Sequence, residues 1–139
     1  MKYFLDTEFD GDDLVSLALA CEDGRVLYLT SMLYANSWAY DQWVNDNVLP
    51  HLNAYPGTVV ADFSAPIAEF LDADPVIISD WPKDIEFFCR EICDGPTMAL
   101  PGGVRFEVMR VDAWPNDIEG AVQHNAAWDA IALRAKCSG

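Results

Sequence analysis

The sequence predicts an α/β domain whose sheet is antiparallel in its first three strands, parallel later, and flanked by helices. Three observations carry this. Apolar runs at residues 2–9, 14–21 and 25–33 follow one another with DGDD and Asp23-Gly24 between them, turn chemistry that joins antiparallel neighbours. Further on, stretches with helical spacing alternate with short strand-like runs, the order that gives parallel crossovers. Finally, 139 residues that are 52% hydrophobic suffice for one core, since a chain of this length removes roughly two-thirds of its unfolded surface from water. A single domain over residues 1–139 follows.

Taken in order, residues 2–9 are rich in Tyr and Phe and form the first strand. Asp23-Gly24 marks a hairpin whose two turn positions need positive φ. After Ser37, AYDQWVNDNVL sets Trp43, Val44, Asn47 and Val48 at helical spacing, and Pro50 closes that helix. YPG at 55–57 is a turn. Ser64 and Pro66 start a second helix, 66–71, that buries Ile67, Phe70 and Leu71 and ends at Asp74-Pro75. Val76, Ile77 and Ile78 form a continuous apolar run, as in a strand covered on both faces. Pro82 opens an amphipathic helix to residue 93, with Ile85, Phe88, Cys89 and Ile92 on one stripe and Gly95-Pro96 as its stop. A loop at 95–103, a strand at 104–112, a turn at Pro115-Asn116 and a helix at 126–137 complete the chain.

Against 23 Asp+Glu stand 8 Lys+Arg, a net charge of -15. Twelve per cent aromatics and five Trp exclude an acidic disordered tail. No run reaches the roughly 18 to 20 apolar residues of a membrane span, and MKYFLDTEFD carries acids where a signal peptide has its apolar stretch, so a cytoplasmic location is expected. Cys21, Cys89, Cys93 and Cys137 match no paired zinc spacing. Cys89 and Cys93 fit one apolar helix face and read as reduced core residues. A polyanionic surface repels phosphate backbones, so a nucleic-acid role must be local, with positive charge supplied by something other than the protein. The same charge suits a different class, an acidic nucleic-acid mimic that blocks a basic partner. Five Trp on so small a domain also make a homodimer a candidate.

Most acids, among them Glu22, Asp41, Asp46, Asp72, Asp94 and Glu119, read as a solvated face. Asp6 and Glu8 differ, because they lie inside the apolar first strand and at i, i+2 leave it on one face. Two like charges held side by side are costly unless a proton or cation neutralises them, so a divalent-ion site and a wet edge strand are the two readings open for the pair. Asp84 stands in the first turn of its helix, one turn before Phe88, and points toward the sheet end; stabilisation by the helix dipole is its competing explanation, and Asp80 its rival. In HNAAWDA, His124 and Asp129 would lie roughly 140° apart in one regular helix. Asn125 as N-cap leaves His124 on the loop, able to fold back while Asp129 points inward. His51 has no acidic company and reads as surface.

Asp6, Glu8, Asp84, Asp129 and His124 thus come from one strand, two helices and the loop before the last helix. In order and spacing they resemble the DEDDh exonuclease superfamily, whose first motif is D-x-E in a strand, second an Asp opening a helix, and third H-x-x-x-x-D. FLDTEFDG, SDWPKDIEFF and HNAAWDA occupy the three places over essentially the whole chain. The compactness and DTEF opening look most like the small mycobacterial-type exoribonuclease branch. Asp80 stands where many relatives carry Asn, and the span from Asp84 to His124 is short, which leaves the second ligand and the substrate loops open.

The resemblance implies a ribonuclease H-like fold and 3′-to-5′ release of nucleoside 5′-monophosphates from the 3′ end of single-stranded or overhanging RNA or DNA, RNA being favoured. The expected cofactors are two Mg²⁺ or Mn²⁺ per active site, roughly 4 Å apart, bridged by Asp6, with Glu8 and Asp129 completing one position and Asp84 the other. His124 is the expected general base. Phe9, Trp81 and Trp128 lie next to these residues and offer stacking faces for terminal bases, with burial as core aromatics the alternative for each. Lys83, Arg105, Arg110 and Arg134 are the cations available to phosphates.

Overall fold

Alternation along β1 (Lys2–Asp10) decides how the molecule is layered, and the structure, a computed structural model, describes residues 1–100 and 102–138. Tyr3 and Leu5 face one side of the sheet and Phe4 the other. β1 is followed by β2 (Asp13–Cys21), β3 (Val26–Ser31), α1 (Gln42–Asn47), β4 (Thr58–Val60), α2 (Ser64–Phe70), β5 (Val76–Ser79) and α3 (Pro82–Ile92). A small hairpin, β6 (Cys93–Asp94) and β7 (Thr97–Met98), precedes β8 (Arg105–Val108) and α4 (Ala126–Cys137). The sheet order is β4-β3-β2-β1-β5-β8. β1, β2 and β3 are mutually antiparallel, and the β3–β4, β1–β5 and β5–β8 pairs are parallel. The predicted mixed α/β sheet is therefore present.

Each face is closed by its own helices. Tyr3, Leu5, Leu17, Leu19 and Ile77 pack with Ile67 of α2 and Phe87, Phe88 and Ile92 of α3. On the opposite face Phe4, Ala18, Ala20 and Ile78 meet Ala126, Ala127, Ala130 and Leu133 of α4. Alanines on both partners bring α4 close to the sheet, because no long side chain separates the two backbones. A third cluster of Val15, Tyr34, Val44, Val48 and Leu52 anchors α1.

Several boundaries differ from the sequence reading. β4 was not foreseen: three residues on an outer edge, two of them exposed, are too few to show periodicity. The β2–β3 hairpin closes through Cys21 N–H donating to the Arg25 carbonyl over a four-residue loop, in which Gly24 alone has positive φ. The helix after Ser37 is shorter than expected, capped by Asp41, and Pro50 lies inside a following 3₁₀ turn, Leu49–His51, instead of ending a helix. The last strand stops at Val108 instead of running to 112. Cys93 falls beyond α3 and is exposed, not on the buried helical stripe. Helix α4, with Asn125 as N-cap, has the predicted bounds. Among the described residues no helix is long and apolar enough to cross a membrane.

Candidate metal centre

β1 pairs with β5 only through Lys2, Tyr3 and Phe4, so the rest of that β1 edge has no strand beside it. β5 ends at Ser79, and the chain turns through Asp80 and Trp81 into α3 at this point. A crevice forms where the two parallel strands part company, the place where open α/β sheets bind ligands. Asp6 stands two residues beyond the last paired residue of β1, and Glu8 follows on the same face.

Three further elements deliver side chains to the crevice. Pro82 sets the first turn of α3, which buries Asp84 and lets it accept hydrogen bonds from Thr7 Oγ1 (2.7 Å) and Ser79 Oγ (2.9 Å). From the other face, α4 rests on Ala18, the β2 residue opposite Asp6, and presents Asp129. The Asn125 side chain accepts from Trp128 N–H at 3.1 Å and donates to the His51 carbonyl at 2.8 Å, tying the start of α4 to the 3₁₀ turn. His124, just ahead of that cap, adopts φ 63, a left-handed conformation uncommon for a side-chain-bearing residue and concentrated at functional sites.

Ligand atoms of Glu8, His124 and Asp129 lie within 4.8 Å of one another, and those of Asp6, Asp80 and Asp84 form a second such group. All five residues singled out from the sequence are brought together. Asp80, weighed only as a rival of Asp84, instead joins it. Thr7 and Ser79, which fix Asp84, carry no motif of their own; their signal is that small hydroxyl residues end β5 and interrupt the apolar face of β1.

Electrostatics make the cluster unstable as a bare set of anions. Burial, reinforced by the charges of Asp84, Glu8, Asp129 and Asp80, holds Asp6 well above the ordinary carboxylate range. Glu8 is raised likewise, by burial and then by Asp129. Burial pushes Asp84 up to about 7 against the pull of its Thr7 and Ser79 hydrogen bonds, and Asp129 up to about 7 against a hydrogen bond from Glu8 and the His124 backbone. None of the ion pairs among the described residues involves these acids. Asp6 Oδ2 is buried without any hydrogen-bond partner, a costly state for a carboxylate oxygen. Hard oxygen donors, closely spaced and without a cationic side chain paired to them among the described residues, match what Mg²⁺ and Mn²⁺ coordinate.

His124 moves the other way. Burial, then the neighbouring His51, lowers its pKa, so it is neutral at physiological pH and has a free nitrogen lone pair. The exposed Trp43 meets its ring edge-on at 4.9 Å. His51 is therefore half-buried beside His124, not a surface residue; the 3₁₀ turn holds it there.

Two of the three aromatics expected to stack bases do other work. Phe9 stacks on Phe87 at 4.7 Å and belongs to the core on the α2/α3 face, because it alternates away from Glu8. Trp128 donates its indole N–H to the Ala54 carbonyl and packs on Tyr55, clamping the 54–55 loop to α4. Trp81 remains half-exposed at the crevice. No protein-family model matches the chain, and no curated protein matches it significantly. The geometry of the site is what bears on function.

Proposed function

We propose that the protein is a metal-dependent 3′-to-5′ exonuclease of ribonuclease H-like fold, acting on the 3′ end of single-stranded or overhanging RNA and releasing nucleoside 5′-monophosphates. The observation that carries the reading is the convergence of Asp6, Glu8, Asp84 and Asp129 around a partnerless Asp6 oxygen, with a neutral imidazole alongside. Asp6, Asp84 and Asp80 would hold one divalent cation, and Glu8 and Asp129 a second. When bound, Mg²⁺ or Mn²⁺ supplies Lewis-acid stabilisation of the phosphodiester's developing charge and eases deprotonation of water.

The chain's own residues do the rest. His124 Nδ1 or Nε2 accepts the proton of the attacking water as general base, which its lowered pKa favours at neutral pH. Thr7 and Ser79 fix both oxygens of Asp84, so its orientation does not have to be found during the reaction. The Asn125 cap and the His51 carbonyl hold the loop that aims His124. The acidic-mimic reading asks for acids spread along an exposed face and has no use for carboxylates drawn into a crevice.

The test is to incubate the purified protein with 3′-tailed and 5′-tailed RNA and DNA oligomers, with Mg²⁺, Mn²⁺ or EDTA. Shortening from the 3′ end that needs the cation and yields 5′-monophosphates supports the proposal. Metal-dependent products from the 5′ end, or none with any substrate, would contradict it.

A further inference from the structure

Directly beside Asp80, the chain leaving β8 builds a cleft of about 300 Å³ whose walls include Trp81, Arg110, Asp112 and Trp114. We propose that this cleft is a subsite for one unpaired nucleobase and its phosphate, belonging to the nucleotide that adjoins the scissile bond in a single strand; the assignment rests on the phosphodiesterase reading above. Met109 N–H donates to the Ser79 carbonyl, so residues 109–114 run along the same strand end that delivers Asp80 and Asp84. Cleft and acid cluster are consequently continuous.

Two Trp rings face this one space, 50% and 59% exposed. Trp is the most costly side chain to leave in water, and a pair left open around one cleft is a surface prepared for a flat apolar partner. The Arg110 guanidinium lies over the Trp81 ring, 5.0 Å from its centroid, which orients it without consuming its donors. Arg110 makes no ion pair among the described residues, although the protein carries 23 acids against 8 Lys+Arg. Stacked, and without a carboxylate at ion-pair distance although its charge reaches Asp80, this planar cation on a largely repulsive surface is suited to a phosphate. Bases stack on such rings whatever their identity, whereas a paired base keeps its faces inside the duplex, so single strands are the matching substrate.

Binding of a short single-stranded RNA with a 5′ fluorescent label, followed by anisotropy with Ca²⁺, tests the assignment, and KM for the same oligomer with Mg²⁺ gives a second readout. Trp114→Ala and Arg110→Ala are expected to weaken both about tenfold, Trp114→Phe to recover most of the loss, and Arg110→Ala also to flatten the salt dependence. Trp38→Ala, exposed but outside the cleft, is expected to bind as the unaltered protein does. Hydrolysis with unchanged affinity in both cleft variants overturns the subsite and leaves the nuclease reading standing. Binding that the variants weaken, without hydrolysis, supports the subsite and overturns the nuclease reading; neither binding nor hydrolysis overturns both.

Discussion

Asp84 accepts two hydrogen bonds and still has its pKa pushed up to about 7, so at this residue desolvation outweighs hydrogen bonding. Removing one donor should tilt it further. Thr7→Val leaves Asp84 Oδ1 without its buried partner, an expected loss of about 1–3 kcal/mol in unfolding free energy, and hydrolysis should shift to higher pH as the acid becomes harder to ionise; denaturant unfolding and a pH–rate profile read the two effects. Asp6→Asn removes a carboxyl whose ionised form burial and the surrounding acids disfavour, so the metal-free variant should lose less stability than the original as pH rises, while losing all cation-stimulated hydrolysis. Thermal unfolding and the oligomer assay together separate loss of function from loss of fold. Asp6 and Glu8 were legible in the sequence because carboxylates inside an apolar strand conflict with burial unless something neutralises them, whereas Asp84, His124 and Asp129 were legible through the helix starts at Pro82 and Asn125 and the order of the three motifs. Thr7, Ser79 and the His51–His124 pairing were not, since each depends on contacts between elements distant in the chain.

At the level of elements, the crevice exists because β1 outlasts its pairing with β5, and because alanines let α4 approach the sheet closely enough for Asp129 to reach Glu8. Ala130→Leu forces a larger side chain into this fully buried contact, with an expected cost of about 1–3 kcal/mol and a drop in cation affinity as Asp129 is carried away from Glu8; calorimetric titration of the variant measures the second. The helices with marked ends, α3 with Pro82 and α4 with Asn125, could be read from sequence because their start signals are local. β4 and the early end of β8 could not. One is fixed by pairing with β3, and the other by the chain's departure to form the Arg110–Trp114 wall, neither of which leaves a periodic trace. Phe9 and Trp128 were adjacent in sequence to the clustered acids, but strand alternation and an indole hydrogen bond turned them to structural use.

For the whole molecule, net charge and stability are linked through the buried acids. Asp84 and Asp129 keep their protons up to about 7 when folded, against a reference of 3.8 when unfolded. Between those values the folded state binds more protons than the unfolded, so the stability of the metal-free protein falls as pH rises through this window. Added Mg²⁺ or Mn²⁺ should reverse that slope by binding the folded, deprotonated state, an outcome that thermal unfolding at a series of pH values reads directly. Calorimetric titration of the protein with Mn²⁺ near neutral pH reads whether the acid cluster takes up paired cations. Two ions bound per chain, with proton release and with binding abolished by Asp6→Asn, is the result expected; no binding, or binding that Asp6→Asn leaves intact, would contradict it.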